Sequence, residues 1–160
     1  MKMKGEIIME CVEKLFREIR RRGEGAKPAT EEQMLQLQQI AGEKKLPQAY
    51  LEFMRGMGNK SYNSFMIGES CFMDEIFELK EWALELLEEN ESKLTLTDED
   101  FVFWMSQGYM FGFFKLNEGD NPPVYFYSED REDRYIKIAH SLTDFYWSYL
   151  TDDPNFLQPK

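Results

Sequence analysis

The apolar pattern of this chain changes period along its length, and that change limits the folds open to it. Up to about residue 90, apolar side chains recur at helical spacing. After residue 100 they alternate with a period of two, and from about residue 141 the helical spacing returns. Helices, then a run of antiparallel strands, then a helix describe an α+β fold: a single domain with one antiparallel meander sheet and helices packed mainly on one face. With 160 residues, the chain suits one domain and buries enough surface to fold without disulfides or metals.

Local signals place the elements. The first helix is predicted from about Glu6 to Arg22, with Ile8, Cys11, Val12, Leu15, Phe16 and Ile19 on its apolar stripe. Arg20, Arg21 and Arg22 fall where the helix dipole favours cations, and Gly23 and Gly25 end it. Thr30 and Gln33 have the spacing of a capping box, opening a second helix that stops at Gly42. Pro47 suits the first position of a third helix, whose apolar face is Tyr50, Leu51, Phe53 and Met54 and which Gly56, Gly58 and Asn59 break.

Tyr62 to Ile67 reads as a short strand, and Asp74 to about Asn90 as a long amphipathic helix. The stripe of that helix is Ile76, Phe77, Leu79, Trp82, Ala83, Leu86 and Leu87. Four strands follow: Phe101 to Ser106, apolar on both faces like a central strand, then Tyr109 to Leu116, Pro123 to Tyr127 and Tyr135 to Ile138. Ser141 and Asp144 suggest a capped final helix. The expected organisation is a helix and loop extension over 1–29, the main domain over 30–150 and a loose tail over 151–160, where Pro154 and Pro159 lie.

The charge is as uneven as the pattern. The net charge is −11, and residues 69–100 hold twelve acids against two bases, so nearly the whole excess lies there. Such a field repels nucleic acid and anionic membranes and attracts basic partners. No run approaches the ~18 apolar residues of a membrane span, and Glu10 and Glu13 interrupt the first apolar segment, which is unlike a signal peptide. Cys11 and Cys71 are far apart and read as free thiols in a reducing compartment. A cytoplasmic protein is expected.

Catalytic options are few. His140 is the one histidine, and it lies just before a helix N-terminus, where the dipole opposes an imidazolium. The chain lacks an HExxH pair, a phosphate-cradling glycine loop and a paired-cysteine zinc site. No catalytic centre, metal or cofactor is expected. In the last two strands, Val124, Phe126, Ile136 and Ile138 share one parity, expected to face the helices. Tyr125, Tyr127, Tyr135 and Lys137 share the other and are expected on an uncovered face, where tyrosines make good interface anchors.

Several segments resemble one known family. Leu46-Pro47-Gln48-Ala49-Tyr50-Leu51-Glu52-Phe53-Met54, leading into Gly58-Asn59, resembles the "LPxxYxxF…GNG" helix and turn of the SUKH superfamily, with Lys60 in place of the second glycine. Phe101–Phe111 resembles its sheet motif, Pro122-Pro123-Val124-Tyr125-Phe126-Tyr127 its "PPVYxY" strand, and Ser141-Leu142-Thr143-Asp144-Phe145 its final helix. The resemblance covers about residues 30 to 150. It implies an α+β fold without a catalytic centre, and a bacterial immunity protein that neutralises a toxin, often a nuclease; fungal relatives regulate cell-wall assembly.

The expected function is therefore a non-enzymatic immunity protein that binds a basic toxin domain, with a regulatory adaptor for an endogenous partner as the alternative. Asp98, Glu99, Asp100, Glu129, Asp130, Glu132 and Asp133 are the expected source of charge complementarity. Tyr125, Tyr127, Tyr135 and Trp104 are the expected anchors.

Overall fold

A computed structural model describes residues 3–21, 25–61 and 65–160. Among them, α1 (Lys4–Arg20), α2 (Glu31–Ala41) and α3 (Gln48–Met57) come first. A 3-10 turn (Ile76–Glu78) leads into α4 (Leu79–Glu89). Strands β1 (Asp100–Ser106), β2 (Met110–Lys115), β3 (Val124–Ser128) and β4 (Ile136–Ala139) form one antiparallel sheet in the order β1-β2-β3-β4, and α5 (Leu142–Leu150) closes the fold. This is the α+β domain that the change of period predicts.

The local signals explain most boundaries. Thr30 Oγ1 accepts from the Gln33 N–H while Gln33 Oε1 accepts from the Thr30 N–H, which completes the capping box of α2. Ser141 caps α5 through the Asp144 N–H. Pro47 is the N-cap of α3 rather than its first residue, and a distant turn finishes the cap: Asp120 accepts from Gln48 N at 3.2 Å and from Ala49 N at 3.0 Å. The β1–β2 turn holds Gln107 and Gly108 at φ 53° and 75°, which the mirror-image hairpin turn demands of both central residues.

Four expectations need correction. Gly56 does not break α3 but lies inside it, where an added Cβ would sit 2.4 Å from the Phe16 ring, so this glycine lets α1 approach α3. The first turn of the long acidic helix is 3-10, not α. Residues 65–68 form turns; 62–64, the start of the expected strand, lie outside the described residues, as does the predicted stop of α1 at Gly23. Finally, β1 is an edge strand. Its apolar residues on both faces report helices above and below, not strands on both sides.

One face of the sheet carries Phe101, Phe103, Trp104, Phe114 and Phe126 against α3 and α5. The Tyr50 ring meets Phe101, Phe103 and Phe114 with centroids 5.2–6.3 Å away, and Phe53 stacks on Tyr146 at 4.1 Å. A register shift between Val102 and Trp104 lets the neighbours Phe103 and Trp104 both reach Phe145. The other face carries Val102, Met105, Phe111, Phe113 and Tyr127, all buried. Helix α4 packs on this face along β1 with Leu79, Ala83, Leu86 and Leu87 inward, and residues 90–97 run on over the β3–β4 end.

Each outer edge of the sheet is met at one point by another part of the chain. Ser70 exchanges two backbone bonds with Met105 at the β1 edge. At the β4 edge the Lys160 N–H donates to Lys137 O at 2.9 Å. The segment after α5 lies against the body, its Phe156 ring touching Trp104, Phe145 and Tyr149.

Candidate partner-binding surface

The three consecutive acids of the expected surface have three different environments. Asp98 is exposed. Glu99 is half-buried and pairs with Lys44 Nζ at 2.7 Å, and this hydrogen bond raises the lysine pKa. Asp100 is only 4% exposed. Its carboxylate accepts from Thr97 N at 2.8 Å, from Thr97 Oγ1 at 3.2 Å and from Lys115 Nζ at 2.8 Å. It holds the entry to β1 and offers nothing outward.

The β3–β4 turn divides in the same way. Asp133 accepts from Lys93 N at 2.9 Å and from Ser92 Oγ, and these bonds, Ser92 first, hold its carboxyl below the ordinary value. Glu129 accepts from Asn90 Nδ2 at 3.2 Å. These two acids fasten the end of α4 to the hairpin. Asp130 accepts from Ser128 Oγ, and Glu132 pairs with Arg134 at 3.1 Å; both acids are exposed.

The tyrosine face is covered, contrary to expectation. Tyr127 is 3% exposed and lies against Phe111, and burial is the main cause of its raised pKa. Tyr135 is half-buried; its hydroxyl donates to Thr95 O at 3.0 Å, and burial pushes its pKa well up. Tyr125 is also half-buried, with its hydroxyl shared between the two Glu118 oxygens at 3.0 and 3.1 Å. Burial and then Glu118 push its pKa up to about 12. Trp104 is on the opposite face of the sheet and 1% exposed, among Phe126, Phe145 and Phe156, so it is a core residue. The physical reason is the same throughout: parity assigns a face, and α4 with residues 90–97 occupies the face that parity left open.

The structure thus leaves Asp98, Glu129, Asp130, Glu132 and Asp133 exposed, with Asp130 and Glu132 bonded to near neighbours in the chain and Glu129 and Asp133 bonded to the end of α4 and the residues after it. It adds residues that the pattern missed. Phe77 is 42% exposed and Leu84 43% exposed, although Phe77 belongs to the expected buried stripe. For Leu84 a helical wheel carried the signal, since it lies off the side of α4 that holds Leu79, Ala83 and Leu86, whereas Phe77 lies in the 3-10 turn, where that wheel does not apply. His140 is exposed in the bend before α5. Among the described residues no cluster of His, Cys, Asp and Glu is arranged to hold a metal ion, and no helix is long and apolar enough to cross a membrane.

No curated protein matches the chain closely enough to count as a relative. A family model does match: that of the SMI1/KNR4 family (SUKH-1), over residues 28–147. The matched span runs from the loop before α2 to within α5 and so includes the whole sheet, both turns that carry the acids and the Asp120-capped helix. Proteins of this family are generally non-catalytic and work through protein–protein contact. The chain belongs to the SMI1/KNR4 family of the SUKH superfamily.

Proposed function

We propose that this protein is a non-enzymatic, cytoplasmic immunity protein that binds a basic toxin domain, such as a nuclease, and blocks its active site or substrate groove. The observation that carries this reading is the charge: a net −11, concentrated in residues 69–100, on a chain of a family that works by protein contact. A toxin that grips phosphates tends to be basic, and a strongly acidic surface both steers it and mimics its substrate.

Asp98, Asp130 and Glu132 are the outward carboxylates of the two acidic turns, and Glu129 and Asp133 add to their field. Reversing Asp98, Asp130 and Glu132 to lysine should slow association with the toxin and flatten its salt dependence. The decisive test is co-expression with the product of a neighbouring toxin-like gene: survival specific to that toxin supports immunity. An endogenous partner recovered in its place, with no protection, supports the regulatory adaptor.

A further inference from the structure

Residues 74–89, a turn and a 3-10 turn leading into α4, bring much of the negative charge and also carry exposed apolar residues that electrostatics alone does not explain. Residues 74–89 hold seven carboxylates and a single amine, Lys80, whose Nζ donates to Thr97 O at 2.7 Å. Glu78, Glu81, Glu85, Glu88 and Glu89 are all exposed. Among them Phe77, in the 3-10 turn, is 42% exposed and Leu84, on α4 seven residues later, is 43% exposed. At the Phe77 end the apolar surface continues onto Ile40 of α2, 43% exposed, across a notch of about 50 Å³ that Leu116 and Asp98 also line.

Two large apolar side chains left partly in water on an acidic segment are costly and easily avoided by substitution. A second copy of the chain is a poor occupant, because it would bring one row of glutamates against another. An anionic membrane is excluded on the same ground. A basic amphipathic helix fits: its apolar residues at helical spacing meet Phe77 and Leu84, and its lysines or arginines meet the glutamates on either side.

We propose that the outer surface of the 3-10 turn and of α4 that follows it, with Phe77 and Leu84 as anchors, is the docking surface for a basic amphipathic helix of the partner. This rests on the reading of the protein as a binder of a basic domain, and it moves the contact from the tyrosine face to the helix that covers that face.

The probes are a synthetic amphipathic peptide of leucine and lysine and a peptide of the same composition in scrambled order. They are titrated into the full chain and into a Phe77→Ser/Leu84→Gln variant, following backbone amide shifts by NMR. Each side chain is more than half covered by the fold, so the thermal midpoint of the double variant is measured beside that of the native chain, and the single Phe77→Ser and Leu84→Gln variants are titrated as well, so that lost binding is separated from lost stability. The amphipathic peptide should shift residues 76–89 most, and the double substitution should weaken it by about tenfold or more while leaving the scrambled peptide unchanged. Equal binding of the two peptides to the native chain, or a double variant with unchanged affinity, overturns the α4 assignment and leaves the basic-partner reading standing. Failure of both peptides to bind at low salt overturns the two together.

Discussion

Asp98 and Asp100 are two residues apart in one acidic run, yet the structure gives them opposite roles, and truncating each to alanine separates them. Asp100→Ala removes two bonds from Thr97 and the 2.8 Å contact with Lys115. A hydrogen bond to a charged group contributes about 1.5–3 kcal/mol. Lys115, whose side chain is 35% exposed, and Thr97, which is exposed, both recover part of their loss in water, so the net cost is well below the sum of the three bonds, about 2–4 kcal/mol. In a chain of this size each kcal/mol moves the thermal midpoint by about 2–4 °C, which predicts a fall of about 4–16 °C for Asp100→Ala. Asp98→Ala changes an exposed side chain and should stay within about 0.5 kcal/mol. Calorimetric melting of both variants checks the stability arm, and the association rate with a basic partner checks the other, where only Asp98→Ala should act through charge alone. A midpoint for Asp100→Ala within about 2 °C of the native chain, or an equal fall for both variants, would refute the reasoning.

Three further outcomes are expected. Gly58 has an ordinary φ of −63°, but an added Cβ would lie 2.5 Å from Met54 O and 2.8 Å from Ala29 Cβ, so Gly58→Ala should cost about 1–3 kcal/mol in a denaturant titration; adding Ala29→Gly should restore only the part due to the methyl contact. Burial keeps six tyrosines above their ordinary value of 10.0, Tyr125 at about 12. Their neutral form is the one the fold prefers, so this stability is complete below pH 10 and is lost as pH rises through the folded values; absorbance near 295 nm should show delayed ionisation followed by alkaline unfolding. Cys71 is 4% exposed, and burial, then Glu69, Asp74 and Glu75, hold its thiol well above the ordinary range; a thiol reagent should leave it unmodified until denaturant is added, and rapid native labelling at Cys71 would contradict this.

The fold was legible where the chain speaks locally. Periodicity gave the five helices and the four-strand run in order, apart from the strand expected over 62–67, of which 65–67 are turns, and Thr30, Gln33 and Ser141 marked helix starts through bonds that close within three residues. What sequence could not supply was long-range. The Asp120 cap on α3 spans 72 residues, and the Asp133 bonds that seat residues 92–93 span about 40. Those same bonds determine that Tyr127 is covered. Parity correctly put Tyr125 and Tyr127 on the opposite face from Val124 and Phe126 but had no means of seeing α4 arrive there. For the surface, composition identified the sign of the charge and the segment that bears it, whereas the division of Asp98 from Asp100 depended on where Thr97 and Lys115 came to rest.

The bonds that Ser70 and Lys160 make at the two margins of the sheet have a consequence for how recognition can change over time. A main-chain partner already seated at one point on each margin interrupts the row of groups that an incoming strand would have to copy, which discourages fibrous self-assembly. Contact with another protein then falls to side chains standing on rigid helices and turns. Such a surface can be retuned one residue at a time without redrawing the backbone beneath.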